Sequence, residues 1–282
     1  MESQGQSIYH AFKVDVQRRF AQGFQLGISY TFSKLITDAA EDLFGDTPIN
    51  GVVQNPFDRR SLRTPSPNIV PNSFVMNYLV ELPFGKGKHF LNQGGVVDKI
   101  FGGWQFSGVQ RYRNGPLLVP FIAGGARDFL DLVGYNGNLR PNVTGQAFYT
   151  NISAGGTQYQ YLNQGAFSRP PVYNAFGVDD IGSAAYTAYY SNPLRFFGNA
   201  APTYSNLRAQ PFFTEDFNVL KRVHMTETTS IEVRADLFNA FNRGRFSLPG
   251  LDFNNLGIFG VSARNADFNQ PRHIQLGIRF LF

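Results

Sequence analysis

The 282-residue chain contains no cysteine, which excludes a disulfide framework, a thiolate metal site and a thiol nucleophile. It has no run of 18 apolar residues, so none of its helices can cross a bilayer. That leaves strands open as membrane spans. A barrel strand alternates apolar and polar residues, and the mean hydropathy of −0.21 is compatible with such strands. The four histidines (His10, His89, His224, His273) include no helical His-x-x-x-His pair, and no Gly-x-Ser-x-Gly elbow is present. Nothing in the sequence places two carboxylates across a cleft. The chain is therefore expected not to be an enzyme and to hold no cofactor or metal. The net charge of +5 is spread over many segments, so no nucleic-acid partner is expected. Met1 to Ser7 has no basic start followed by an apolar run, so an export signal is expected upstream of this chain.

What is abundant is Phe (29), Gly (29) and Tyr (13), arranged with a period of two. From Tyr9 to Phe20, His10, Phe12, Val14, Val16 and Phe20 share one side, and Lys13, Asp15, Gln17 and Arg19 the other. A turn at Ala21-Gln22-Gly23 follows, and Phe24, Leu26, Ile28, Tyr30 and Phe32 then repeat the pattern. This predicts a long β-hairpin. Further strands are expected over 72–84, 103–113, 212–223, 229–241 and 272–282, beside the first two at 9–20 and 24–34. Their lengths suit a tilted strand crossing a bilayer. In the last strand Ile274, Leu276, Ile278, Phe280 and Phe282 oppose His273, Gln275, Gly277 and Arg279. A bare apolar strand at a chain end invites aggregation unless it is paired and covered. A closed barrel in lipid meets both needs. The fold class expected is all-β, an antiparallel transmembrane outer-membrane barrel.

Connections alternate in length. Those at 21–23 and 224–228 are short and that at 85–103 is intermediate; those at 33–71, 114–212 and 242–270 are long. Long structureless loops argue against an ordinary compact domain. Short periplasmic turns opposite long extracellular loops are the pattern of an outer-membrane barrel. Strand directions add a constraint. If the last of seven antiparallel strands descends, the first descends too, and parallel edges cannot close an all-antiparallel barrel. A hidden hairpin in the long loop leaves this parity unchanged. The chain is thus expected to be a segment of about seven to nine strands from a larger, even-numbered barrel.

Several side chains are candidates for particular roles. Lys13, Asp15, Arg19, Glu232, Arg234 and Asp236 are expected to face the lumen, where a polar wall is the rule. Tyr30, Phe32, Trp104 and Tyr112 are expected at the lipid–water interfaces. Gly85-Lys-Gly-Lys88 lacks the spacing of a phosphate loop and a following helix, and reads as a flexible basic turn at the periplasmic rim. In the long loop, Gly124-Gly125, Arg127, Asp128, Asp131 and Asp179-Asp180 are candidates for contact with an unknown extracellular ligand, although no spacing matches a Ca²⁺ loop.

Several phrases resemble one family. Tyr9-His-Ala-Phe-Lys-Val-Asp-Val-Gln-Arg-Arg-Phe20 with Gly27-Ile-Ser-Tyr-Thr-Phe-Ser-Lys34 is similar to a hairpin of TonB-dependent receptors. The nearest group is the Oar-like barrels with a carboxypeptidase-regulatory-like N-terminal domain. Asn55-Pro-Phe-Asp-Arg-Arg60, Tyr78-Leu-Val-Glu-Leu-Pro-Phe-Gly-Lys-Gly-Lys88 and Gly102-Gly-Trp-Gln-Phe-Ser-Gly108 follow in the expected order. So do Arg234-Ala-Asp-Leu-Phe-Asn-Ala-Phe-Asn242 and Gln275-Leu-Gly-Ile-Arg-Phe-Leu-Phe282. The resemblance implies the C-terminal part, over residues 1–282, of a barrel of about 22 strands with a plugged lumen. Such a receptor takes up a scarce substrate across the outer membrane of a Gram-negative bacterium. Its plug domain, remaining strands and TonB-contacting segment are expected outside this chain, so TonB is a partner only through that missing part. The resemblance also makes Leu276, Ile278, Phe280 and Phe282 a signal for the barrel-assembly machinery, recognised by strand addition. Outer-membrane lipid is the remaining expected partner.

Two other readings stand beside this one. The chain fits a standalone structural or adhesive outer-membrane barrel whose loops bind a surface, or a secreted soluble β-rich binding module.

Overall fold

The computed structural model describes residues 5–38, 58–67, 69–123, 139–150, 157–170, 197–264 and 271–282. Asn55 to Phe57 of the resemblance, and the loop candidates Gly124, Gly125, Arg127, Asp128, Asp131, Asp179 and Asp180, lie outside the described residues.

Among the described residues there are twelve strands: β1 (Ser7–Ala21), β2 (Phe24–Thr37), β3 (Thr64–Pro65), β4 (Asn72–Glu81), β5 (Trp104–Arg113), β6 (Asn142–Val143), β7 (Gln158–Gln160), β8 (Phe167–Ser168), β9 (Phe212–His224), β10 (Ser230–Phe238), β11 (Val261–Ala263) and β12 (His273–Leu281). Seven of them are long and form one antiparallel sheet in the order β1-β2-β4-β5-β9-β10-β12, with β3 paired to β2. Their ranges fall where the alternation predicts strands, with differences at the ends. β10 stops at Phe238 rather than 241, because Asn239 turns into the left-handed region at φ 48°. β4 stops at Glu81, ahead of Pro83.

The β1–β2 turn shows why the hairpin forms. Gln22 and Gly23 have φ of 55° and 77°. Two successive positive φ values match the right-handed twist of the flanking strands. Pairing then runs in register from Ser7↔Thr37 to Arg18↔Leu26, with a bulge before Ala21↔Phe24. Arg19 falls within this bulge, outside the regular pairing that would define its face.

The sheet has two ends of different character. Connections β1–β2, β4–β5 and β9–β10 lie at one end, and β2–β4, β5–β9 and β10–β12 at the other. The β4–β5 link is an ordered turn. The Lys86 N–H donates to Asp98 Oδ1 (2.6 Å) and the Gly87 N–H to Asn92 Oδ1 (2.6 Å). A six-residue helix, Val96–Phe101, follows, where the sequence pattern predicts none.

The long connections correct a second expectation: their described parts are not structureless. They fold into a cap with its own core of Leu118, Ile122, Leu139, Leu162, Phe167, Leu207, Phe253 and Phe259. Full burial of such a side chain stabilises by about 1.5–3 kcal/mol. The Leu118 N–H donates to the Leu207 carbonyl, and Ile122 and Leu139 exchange backbone bonds. β7 pairs with β11, which ties the β5–β9 loop to the β10–β12 loop. The β2–β4 loop joins through a hydroxyl bond between Thr64 and Thr203, and through Thr203 Oγ1 donating to the Pro65 carbonyl (2.8 Å). Among the described residues no hidden hairpin from these loops enters the main sheet.

The location of the core decides what the sheet is for. Among the described residues, every buried hydrophobic side chain belongs to the connections and short strands, and none to the seven long strands. Leu276, Ile278 and Phe280 are 76, 67 and 65 % exposed. Ile8, Phe12, Val14, Val16, Phe32, Val233 and Ile274 are exposed on the same face. A soluble monomer does not leave such a contiguous apolar band in water.

Candidate functional site: the two faces and the rim of the sheet

Cross-strand registers assign each side chain to a face. The polar face carries Lys13, Asp15, Glu232, Arg234 and Asp236. Glu232, Arg234 and Asp236 join a network that crosses strands. Arg222 donates from Nε to Glu232 Oε1 (2.8 Å), and Arg234 lies 3.5 Å from Asp236. Asn218 Nδ2 donates to Asp236 Oδ1 (2.6 Å), and Asn218 Oδ1 accepts from Ser107 Oγ (3.5 Å). Nearer the short-turn end, Glu81 accepts from Gln105 (3.0 Å) and Lys88 (2.8 Å). Lys13 and Asp15 form a separate exposed pair on β1 at 3.0 Å, with three strands between it and β9. An open depression of about 450 Å³ lies over Asn77, Ser107, Asn218 and Asp236. Amide, hydroxyl and compensated charges make a hydrated wall able to offer both donors and acceptors to a passing solute.

The apolar face carries aromatic side chains along its height, with Tyr78, Phe106 and Phe217 in contact at its middle. Tyr30, Phe74, Tyr112 and Phe213 are successive cross-strand partners across β2, β4, β5 and β9. Phe74 and Tyr112 stack with centroids 6.0 Å apart, and Tyr112 meets Phe213 edge-on at 5.5 Å. Phe32 lies one step further towards the long-loop end, opposite Phe12 and Asn72. Trp104 lies at the short-turn end, its indole N–H donating to the Ile100 carbonyl (2.9 Å) and Lys221 over its ring at 5.4 Å. Such amphipathic rings suit the two edges of an apolar slab.

Two polar residues interrupt this face near the upper aromatic row. Gln110 donates to the Tyr78 hydroxyl (3.2 Å). Glu215 has no exposed surface, and Arg243 Nε donates to both of its carboxylate oxygens, at 2.9 and 2.8 Å. This bonding, more than the charge itself, holds the Arg243 guanidinium above its ordinary pKa. Arg243 reaches Glu215 because the chain hooks after β10. The Asn239 N–H donates to Asp216 Oδ1 (2.8 Å), the Ala240 N–H to the Glu215 carbonyl (2.9 Å), and the Arg243 N–H to Asn239 Oδ1 (2.8 Å). The sequence reading missed this site. Its signal was present, since Glu215 and Lys221 share parity with Phe213, Phe217, Val219 and Val223.

In the cap, Tyr149 and Tyr161 both donate to the Arg208 carbonyl, at 3.1 and 2.8 Å. Burial pushes the Tyr161 hydroxyl well above the ordinary tyrosine range.

An all-antiparallel sheet with one apolar, uncovered face and one polar face is the wall of a membrane barrel. Residues 1–275 match the family model described as an outer membrane beta barrel domain. The chain belongs to this outer-membrane β-barrel family. No curated protein matches it significantly. In this barrel domain the apolar face is the lipid side and the polar face the interior, which sets aside the reading of a soluble module. On β12, Leu276, Ile278 and Phe280 project from the lipid side, opposite Ala235, Val233 and Ile231 of β10. The outer edge of β12 pairs with no other described strand.

Proposed function

We propose that this barrel domain is part of the wall of a TonB-dependent, Oar-like receptor that takes up a scarce substrate across a Gram-negative outer membrane. In this reading the short-turn end is periplasmic and the cap is extracellular. The network of Arg222, Glu232, Asn218 and Asp236 lines the interior beside a plug domain. The observation that carries the proposal is strand parity. β1 and β12 are the edges of a seven-strand antiparallel run, so they point the same way and cannot pair with each other as antiparallel neighbours. Even-numbered closure then requires further strands between them. The ordered phrases shared with the Oar-like group support the same reading. Leu276, Ile278, Phe280 and Phe282 act as the assembly signal, presenting a free strand edge and alternate side chains to the assembly machinery.

The test is the coding sequence upstream of Met1, with the length of the protein found in outer membranes. The proposal expects an in-frame plug domain and a TonB-contacting segment on a longer product. An upstream stop codon, with a membrane protein of only this length, contradicts it. The folded cap supports a second reading, an adhesive barrel whose cap binds a surface; a signal peptide directly before Tyr9 distinguishes that case.

A further inference from the structure

The helix in the β4–β5 connection, Val96–Phe101, contributes nothing to a core. Four of its six residues are apolar, yet none is buried, and Val96, Ile100 and Phe101 are 72, 54 and 50 % exposed. At about 100° per residue, Val96, Ile100, Val97 and Phe101 share one arc, and Asp98 and Lys99 take the opposite one. So short a helix is marginal alone, and here it is tied down from two sides. Within the connection, Asp98 Oδ1 accepts from the Lys86 N–H (2.6 Å) and the Asp98 carbonyl from the Gly102 N–H (2.8 Å). From the sheet, the Trp104 indole N–H donates to the Ile100 carbonyl (2.9 Å) and Lys221 Nζ to the Gly102 carbonyl. Trp104 and Lys221 are cross-strand partners on the lipid side. The sheet thus fixes the helix at the foot of its lipid face, with the apolar arc uncovered. The polar arc borders a groove of about 660 Å³ in front of the β9–β10 turn, lined by Asp98, Lys99, Thr226 and Glu227 among others.

We infer that this helix lies in the headgroup–acyl boundary of the phospholipid leaflet at the short-turn end, as a foot of the barrel wall. Its apolar arc continues the lipid face past Trp104, at the level where indole rings settle. A helix so placed buries its apolar arc about 5–10 Å into that boundary. The charge suits the leaflet. Between Gly85 and Gly103 stand Lys86, Lys88 and Lys99 against one acid, Asp98. Lys88 is paired with Glu81, so the basic character rests on Lys86 and Lys99. Basic side chains beside an apolar arc favour phosphate headgroups. Position argues against the other neighbours of a barrel wall. β5 lies between β4 and β9, so further strands, which can pair only beyond β1 and β12, do not adjoin the helix. A plug would meet the polar face, opposite Trp104. The inference rests on the barrel family and not on the transport reading.

The test uses the full chain reconstituted in vesicles of phosphatidylethanolamine and phosphatidylglycerol. Val96→Cys, Lys99→Cys and Ile100→Cys are each labelled with a nitrobenzoxadiazole fluorophore. All three side chains are exposed, and the bonds that tie the helix down are made by other groups or by the backbone. Labels at 96 and 100 are expected to emit to the blue, to be quenched by nitroxide-bearing lipid and to be shielded from iodide. The label at 99 is expected to emit to the red and to be quenched by iodide. Leu276→Cys, labelled in the same way, reports whether the barrel wall itself is inserted. Equal iodide quenching at 96, 99 and 100, in vesicles whose lipid quenches the Leu276→Cys label, overturns the inference and leaves the barrel intact. Shielding of 96 and 100 in native outer membranes but not in the lipid vesicles assigns the arc to a protein partner and also overturns it. A label at 276 left in water contradicts the barrel wall, and the inference with it.

Discussion

The Glu215 carboxylate, fully buried on the lipid side of β9, is held at 2.8 and 2.9 Å by the Nε of Arg243, a residue beyond the end of β10. One ion pair thus closes the strand-free hook of residues 239–243 onto the neighbouring strand. A buried carboxylate that loses its partner retains its desolvation cost without the compensating attraction. Arg243→Ala is therefore expected to destabilise the barrel by about 2–3 kcal/mol, below the roughly 3–5 kcal/mol of a fully buried pair because the guanidinium is half-exposed. Replacing both Glu215 and Arg243 with leucine should cost less than Arg243→Ala alone. Urea unfolding of the refolded barrel, followed by heat-modifiable migration, measures both. A double variant less stable than Arg243→Ala would show that the pair itself stabilises.

The two faces of β12 are expected to respond oppositely to charge. Leu276→Arg places a cation on the lipid side, at a cost of about 2–4 kcal/mol near the midplane. Gln275→Arg adds one to the interior side opposite Asp236, and should change stability by less than about 0.5 kcal/mol. The comparison is made by equilibrium folding into vesicles; equal costs for the two would contradict the facing assigned here.

Much of this sheet was legible in the sequence, for a physical reason. Nine or more alternating residues bounded by a Gly turn have few other structures open to them, and β1, β2, β9 and β12 carry long runs of that kind. Glu232, Arg234 and Asp236 were placed on the polar face by parity alone. The bonds of Arg222 to Glu232 and of Asn218 to Asp236 depend on register within the β9–β10 hairpin, and that of Ser107 to Asn218 on pairing of strands 111 residues apart, which no single-strand pattern encodes. The cap was illegible for the same reason. Ile122 and Leu139 meet at an isolated β-bridge, the Leu118 N–H bonds the Leu207 carbonyl and Phe167 meets Phe259 edge-on, all in segments that show no period. The end of β10 was missed because Asn239 tolerates left-handed backbone, so the strand stops three residues before its apolar pattern does.

Gly103 is expected to be intolerant of any side chain. Its φ is 69°, and an added Cβ would stand 2.2 Å from the Arg222 carbonyl oxygen, where the backbone of β9 cannot move aside. Gly103→Ala should destabilise by at least about 1–2 kcal/mol, from left-handed strain alone before the clash is counted. Urea midpoints compare it with Gly94→Ala, where nothing lies within 4 Å. Equal midpoints would mean the turn is not held as described.

The cap is expected to be sensitive to alkali through Tyr161. Burial raises the pKa of this phenol in the folded state, so its contribution to stability is fully present below the ordinary value of about 10. That contribution falls as pH rises above 10 towards the folded-state value, because only the unfolded chain ionises there. Tyr161→Phe removes this dependence at the cost of one bond to the Arg208 carbonyl. Cap stability followed by near-ultraviolet circular dichroism between neutral and strongly alkaline pH should fall less steeply in the variant. Identical slopes would contradict the assignment.

The central claim is that the uncovered apolar face of the sheet lies against lipid. The absence of cysteine makes a direct measurement simple. Single cysteines introduced in turn from Gln275 to Phe280, spin-labelled and reconstituted in vesicles, report collision with oxygen in lipid and with a water-soluble nickel chelate. The account predicts strict alternation, with Leu276, Ile278 and Phe280 positions accessible to oxygen and Gln275, Gly277 and Arg279 positions accessible to the chelate. A flat profile, or one of inverted phase, would contradict it.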